Sequence, residues 1–282
     1  MTERVTLAGV GLHTGQTTVV TLERTAPGTG RVFYRDNRPI PAHVHAVQPS
    51  ALCTTLAQGP DKVHTVEHLL AALLGLGIDD VAIQVTGDEI PLLDGSAQPW
   101  VEQLQRWGTG QPTVEGVITE PIQVAEGDRF VAALPSQQLL FTYGIDFPDY
   151  PAIGRQWVTW VPDQEPFATA VAPARTFGLA DQIAHWQAQG LIRGGSLANA
   201  LVCDRERGWL NPPLRFPDEP ARHKLLDLLG DLALLGTLPR GHYLAYKAGH
   251  RLHTQLAARL WTRVGTCSTM GLGAAHQSLN ML

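Results

Sequence analysis

The amino-acid sequence predicts an α+β chain built as two units. Strand-like runs come in groups instead of alternating strictly with helices, which argues against a doubly wound parallel sheet. Each group is accompanied by helical patterns with a broad apolar face. Between the groups lies Gly108-Thr109-Gly110-Gln111-Pro112, the strongest linker signal in the chain. The boundary is placed there, giving units of residues 1–110 and 111–282. With 282 residues and 44% hydrophobic content, the chain is long and apolar enough to bury a core, which excludes disorder.

The first unit opens with strand-like runs across residues 4–22, interrupted by Gly9-Val10-Gly11-Leu12-His13-Thr14-Gly15. A third glycine four residues after the second, with no helix following, is wrong for a dinucleotide fingerprint and predicts a tight turn. Residues 17–22 are nearly all β-branched and read as a strand. So does Arg31-Val32-Phe33-Tyr34-Arg35, stopped by Asp36-Asn37. Residues 39–50 carry prolines and histidines and read as irregular or short strand. Residues 63–77 read as a helix, capped by Asp61 and ended by Gly75 or Gly77, with Val66, Leu70 and Leu73 on a buried face. A strand follows at 81–85. Asp94-Gly95 then marks a turn, and Ser96 caps a helix running to about Trp107.

The second unit begins with strands at 116–124, 130–134 and 139–147. A helical piece covers about 178–189, an apolar run covers 197–202, and Pro212-Pro213 breaks the chain. A long helix spans about 219–236, a strand 242–246, and a last helix about 250–264.

A formal charge of −5 without any Lys/Arg run excludes nucleic acid as a partner. No apolar run reaches the ~18 residues of a membrane span, and the N-terminus lacks the basic start and apolar core of a signal peptide. Three well-separated cysteines, Cys53, Cys203 and Cys267, fit a reducing cytoplasm and neither a disulfide frame nor a cysteine zinc site. A monomer is expected.

The chemistry gathers in two places. Glu67 and His68 stand side by side at the start of the first helix, a carboxylate beside a potential metal ligand. On the long second helix, His223, Asp227 and Asp231 recur at i, i+4 and i+8 and so share one stripe, while the remaining faces are rich in leucine. Burying two carboxylates and an imidazole is costly without a cation or donor, and a metal ion satisfies His223 and Asp227 together. His250 opens the last helix and can pair with Asp231. Two metal readings remain open. One is an H-x-x-E-H zinc peptidase motif using His64, Glu67 and His68. The other draws His68 from the first half and His223 with Asp227 from the second, leaving the fourth position for water.

With these residues in hand, the chain resembles the zinc-dependent UDP-3-O-acyl-N-acetylglucosamine deacetylases of lipid A synthesis. The resemblance runs from about Gly9 to about Leu256. It rests on Gly-Val-Gly-Leu-His-Thr-Gly at 9–15, Leu-Cys-Thr-Thr-Leu at 52–56 and Thr-Val-Glu-His-Leu at 65–69. It continues through Leu-Gly-Ile-Asp at 76–79, Glu-Ile-Pro at 89–91, Asp-Gly-Ser-Ala at 94–97 and Ile-Asp-Phe at 145–147. It closes with Ala-Arg-Thr-Phe-Gly at 174–178, Arg-His-Lys-Leu-Leu-Asp at 222–227 and Tyr-Lys-Ala-Gly-His at 246–250.

The resemblance implies two similar domains, each a sheet packed against helices, with the helix layers facing each other and the metal at the junction. It implies zinc, or iron(II) in its place, on His68, His223 and Asp227. Glu67 would be the general base, and His250, with Asp231 behind it, the protonated partner of the leaving amine. Thr176 would donate to the oxyanion. Lys224, Lys247, Asp146, Phe147, Arg129 and Phe177 would contact the UDP-sugar. An insert at about 178–203 would line an acyl passage with Leu179, Ile183, Trp186, Leu191, Ile192, Leu197 and Leu201. Two departures stand out. Arg129 replaces a lysine of the family, keeping the charge and changing its geometry, and His64 replaces a small polar residue. The rivals are the peptidase and a nucleotide-sugar binding protein without turnover.

Overall fold

The computed structural model describes residues 3–108 and 110–264. Residues 1–2, Thr109 within the linker and 265–282, with Cys267, lie outside the described residues.

The first half is organised on a five-stranded sheet. Strands β1 (Arg4–Val10) and β2 (Thr17–Arg24) form a hairpin around the glycine-bearing turn. Strands β3 (Arg31–Arg35) and β4 (Arg38–Pro41) are joined by Asp36 and Asn37, both at positive φ, as a two-residue hairpin turn of matching twist demands. A small sheet of β5 (Val47–Gln48), β6 (Thr55–Gln58) and β7 (Asp61–His64) precedes helix α1 (Glu67–Gly75). Strand β8 (Val81–Val85) returns between β2 and β3, and helix α2 (Gln98–Leu104) closes this half.

In the second half, β9 (Val114–Val117) precedes β10 (Ile122–Glu126), β11 (Arg129–Leu134), β12 (Leu140–Phe147) and β13 (Gly154–Trp160). The short helix α3 (Phe167–Ala170), strand β14 (Phe177–Leu179), helix α4 (Ala180–Ala188) and strands β15 (Leu201–Asp204) and β16 (Gly208–Trp209) follow. Helix α5 (Glu219–Leu232) leads to β17 (Leu238–Arg240), which pairs with β9. Strand β18 (His242–Tyr246) and helix α6 (His250–Val264) complete the described chain.

The two large sheets share one pattern. Their orders are β1-β2-β8-β3-β4 and β10-β11-β18-β12-β13. In each, the third and fourth strands are parallel and every other neighbouring pair is antiparallel. The molecule is therefore α+β with two similar parts. Helix α5 packs on β12 and β13, α6 packs on β10 and β11, and α1 packs directly against α5. That helix pair is close because Gly230 has no side chain. A Cβ there would lie 2.0 Å from the carbonyl oxygen of Glu67. Arg31, fully buried, ties the halves at another point. Its guanidinium donates to the carbonyls of Ile78 (2.8 Å), Gly236 (3.0 Å) and Ala233 (3.2 Å), and pairs with Asp79.

Several sequence expectations need correction. Residues 61–64 form β7, not the start of a helix, because Val63 is buried opposite Leu56 in the small sheet. Asp61 caps nothing and pairs with Arg38. Helix α1 starts at Glu67, after Thr65 at φ 58°. It ends in a Schellman closure, with Gly77 at φ 67°, Gly77 N–H donating to Leu74 (3.0 Å) and Ile78 N–H to Leu73 (2.9 Å). The run 116–124 is split into β9 and β10, with Pro121 between them. Residues 177–179, assigned in part to a helix, pair with β15 as a strand. Helix α2 ends at Leu104, short of Trp107.

Candidate metal centre and active site

The site is built where α1 meets α5. Residues spaced i, i+4 on a helix share a face, so His223 and Asp227 project together from α5. The first turn of α1 brings Glu67 and His68 against them. Asp227 Oδ1 lies 3.3 Å from His223 Nε2 and 3.6 Å from His68 Nε2. The three donor atoms all fall within 4.8 Å of one another, and all three residues are buried.

The donor set fits a divalent cation. Asp227 Oδ1 is buried without any hydrogen-bond partner among the described residues, an expensive state for a carboxylate oxygen unless a cation meets it. Asp227 Oδ2 accepts from Lys224 Nζ at 2.9 Å. Burial acts to raise the Asp227 pKa, but the Lys224 ammonium holds it well below the usual carboxylate range. His223 Nδ1 lies 3.1 Å from the Ala174 carbonyl and donates to it, which leaves the Nε2 lone pair facing Asp227 and His68. Burial pushes the His223 pKa down to about 3, so the ring is neutral and free to ligate. Two imidazole nitrogens and one carboxylate oxygen are a three-donor set of the kind that leaves a fourth position for water.

Beside this trio stand a carboxyl group and an imidazole. Glu67 Oε2 accepts the Thr54 backbone N–H at 3.0 Å, while Oε1 faces His250 Nε2 at 3.8 Å. Burial raises the Glu67 pKa well above its ordinary value, and His250 pulls against that shift. His250 Nδ1 donates to Asp231 Oδ2 at 2.9 Å. Burial alone would lower the His250 pKa, but the Asp231 and Glu67 carboxylates push it up to about 10. The ring is an imidazolium at neutral pH.

A cavity of about 240 Å³ opens over these groups. Glu67, His68, His223, Asp227, His250, Thr176 and Lys224 line it, and so do Phe147 and Phe177. Leu179, Ile183, Trp186 and Ile192 form an apolar arm. A second cavity of about 160 Å³ shares Phe147 and Lys224 with the first, and adds Arg129, Asp146 and Lys247. Of its three cations, Lys224 is paired with Asp227 and Lys247 with Asp128, and the Asp146 carboxylate lines the same cavity.

The family model described as UDP-3-O-acyl N-acetylglycosamine deacetylase (LpxC) matches residues 1–262. The chain belongs to this family.

Among its relatives, a protein of Thermosynechococcus vestitus named UDP-3-O-acyl-N-acetylglucosamine deacetylase is 56% identical over 257 residues, covering 89% of each chain. A protein of the same name from Synechocystis sp. is 54% identical, over 91% of this chain and 95% of its own. An Arabidopsis thaliana protein named probable UDP-3-O-acyl-N-acetylglucosamine deacetylase 1, mitochondrial, is 45% identical, over 91% of this chain and 85% of its own. No helix among the described residues is long and apolar enough to cross a membrane.

Some sequence-predicted residues stand elsewhere. Leu191, Leu197 and Leu201 do not line the cavity. Leu201 is fully buried in β15, Leu197 is 53% exposed, and Leu191 lies on the turn after α4. The apolar run at 197–202 is thus half surface and half core. Asp231 lies behind His250, outside the cavity lining. His64 sits on β7 with its Nδ1 2.8 Å from the Thr55 hydroxyl. The peptidase motif needs both histidines on one helix, and the break at Thr65 removes that possibility.

Sequence reasoning also missed residues. His13 lines the cavity, buried, with its ring close to the Cys53 thiol. Its loop is held by Glu89, which is wholly buried. Glu89 accepts from the N–H groups of His13 (2.9 Å) and Thr14 (2.8 Å) and from the hydroxyls of Thr14 (2.8 Å) and Thr65 (2.9 Å). One carboxylate therefore fixes both the first turn of the chain and the strained residue ahead of Glu67. A glutamate next to Ile90-Pro91, where a strand has just ended, was the available signal. His253, three residues after His250, reaches Asp231 as well.

Proposed function

We propose that the chain is a zinc-dependent hydrolase that removes the N-acetyl group from UDP-3-O-acyl-N-acetylglucosamine, in the cytoplasm, in the synthesis of lipid A. The observation that carries this reading is Asp227 Oδ1, orphaned between two imidazole nitrogens, with a proton-accepting carboxylate and a protonated imidazole on either side of one another at the same cavity wall.

When bound to His68, His223 and Asp227, zinc (or iron(II)) supplies Lewis acidity, bringing the pKa of water towards about 7 and polarising a carbonyl. The chain's own residues do the rest. Glu67 accepts a proton from the attacking water, and burial raises the affinity of its carboxylate for that proton. The water oxygen bonds to the acetyl carbon, and the Thr176 hydroxyl donates to the carbonyl oxygen as it gains charge. His250, anchored through Nδ1 on Asp231, presents its Nε2–H to the amide nitrogen. The C–N bond breaks as that nitrogen takes the proton, leaving acetate and the free glucosamine. Lys224, Lys247 and Arg129 hold the diphosphate, with Asp146 beside them and Phe147 against the uracil. Phe177, Leu179, Ile183, Trp186 and Ile192 receive the acyl chain.

The test is acetate release from the UDP-sugar by the purified, zinc-loaded protein. Glu67→Gln is expected to lose on the order of 10²–10⁴-fold in kcat. Equal rates for wild type and Glu67→Gln would leave a binding protein without turnover.

A further inference from the structure

We propose that His253 is a positioning residue of this site: it holds the Asp231 carboxylate in the one orientation that aims Oδ2 at His250. The proposal rests on the reading above, in which His250 serves the reaction.

His253 is wholly buried on α6, one helical turn after His250, so both rings can reach α5 from the same face. Asp231 Oδ2 lies 2.8 Å from His253 Nδ1 and 2.9 Å from His250 Nδ1. Asp231 Oδ1 accepts the Thr54 hydroxyl. A carboxylate only accepts, so each imidazole presents an Nδ1–H to the same oxygen. The Asp231, His250 and His253 atoms are also close enough to one another to suggest a second metal group. Protons already fill the space between them, so the trio is a hydrogen-bonded unit.

The far side of His253 is tied down too. Its Nε2, the bare nitrogen of a neutral ring whose Nδ1 carries the proton, lies 3.1 Å from the Tyr143 hydroxyl, whose single O–H is shared between that nitrogen and the Ala248 carbonyl at 2.7 Å. Ala248 lies two residues before His250. A closed circuit results. Tyr143 fixes the backbone that leads into His250, and His253 links that hydroxyl to the carboxylate that orients the His250 ring. Without the His253 N–H, Asp231 keeps one bond on each oxygen, from Thr54 and from His250, and Oδ2 loses the second donor that fixes its direction. Nothing in His253 touches the cavity, so it acts only through Asp231.

His253→Leu removes both bonds, whereas His253→Asn keeps a donor where Nδ1 stood. In the zinc-loaded full chain, His253→Leu is expected to lower kcat about 10- to 100-fold, the scale of a sub-ångström to 1 Å misplacement, with KM and zinc content unchanged. His253→Asn should recover most of that loss. In a His250→Ala background, His253→Leu should cost nothing further. In metal-free protein with ¹⁵N-labelled histidine, the His250 Nδ1–H signal should persist in wild type and His253→Asn and vanish in His253→Leu. Equal losses for Asn and Leu, full additivity with His250→Ala, or an unmoved His250 signal would each overturn the proposal. Should His253→Leu fail to fold, His253→Gln replaces it, keeping a partner for Tyr143 but not for Asp231. It should behave as the leucine variant is expected to, and activity equal to His253→Asn would overturn the proposal. A wild type that releases no acetate sinks the hydrolase reading alone, because the NMR signal still decides the role of His253.

Discussion

Gly230→Ala tests how closely the chemistry depends on the approach of α1 to α5. The added Cβ would sit 2.0 Å from the Glu67 carbonyl oxygen, whereas carbon and carbonyl oxygen normally rest no closer than about 3.3–3.6 Å. Roughly 1.3 Å or more of extra separation is needed. Both contacting groups are helix backbone, so neither side chain can swing aside, and the helices themselves must part. His68 follows Glu67, and Asp227 lies one turn before Gly230 on the same face, so the 3.6 Å gap between their ligand atoms widens with them. Overpacking costs about 1–3 kcal/mol, offset by about 1 kcal/mol for replacing glycine with alanine inside a helix. A shift of this size costs on the order of 10²-fold in kcat/KM. Zinc affinity by chelator competition, acetate release and urea denaturation measure the three effects separately. Zinc affinity is expected to fall at least about tenfold, with loss of one well-placed ligand contact worth over 1.4 kcal/mol. Gly249→Ala is the control, because no atom of the described residues lies within 4 Å of its added Cβ. Wild-type zinc affinity and activity in Gly230→Ala would refute the dependence on helix approach.

The remaining predictions concern pH, the link between the halves and the entrance loop. In metal-free protein these two histidines, His223 and His250, make opposite contributions to stability on either side of pH 6.5, their ordinary pKa. The folded His223 pKa is about 3, so below pH 6.5 the unfolded chain takes up a proton the native state refuses, and stability falls as pH drops towards 3. The folded His250 pKa is about 10, so its contribution is complete below pH 6.5 and is lost as pH rises through 10. Urea midpoints from pH 4 to pH 10 read this directly, and His250→Asn should flatten the alkaline side; an alkaline side unchanged in that variant contradicts it. Arg31→Leu strands the Asp79 partner and three carbonyl groups, and should cost about 3–5 kcal/mol in urea denaturation. Glu89→Gln leaves at least one of its four donors unmet and should cost about 1–3 kcal/mol. It should also raise KM for the UDP-sugar several-fold by loosening the His13 loop, as steady-state acetate release would show.

Much of the architecture was legible where local chemistry and tertiary environment agree. The β-branched run at 17–22 lies within β2, Asp36-Asn37 makes the hairpin turn, and α6 spans the residues periodicity assigned to it. The failures share a cause. Residues 61–64 look like a helix start because Asp61 and the following apolar residues mimic a cap, yet pairing with β6 outweighs that local preference. Strand β13 was missed because Gly154-Arg155-Gln156-Trp157 carries polar residues on its outer face and no β-branched run. At the site, the i, i+4 stripe on α5 was visible as charge inside a leucine-rich helix. His13, Glu89 and His253 were not, because each matters through a contact made tens of residues away or more. An isolated histidine has no local signature for that.

Of the three donor atoms that could hold a cation, one comes from the front half and two from the back, and the two halves carry sheets of one pattern. Cut at the connector, the polypeptide would give two pieces, neither holding the complete set of claws. Ion capture by a mixture of the pieces would then report their reunion.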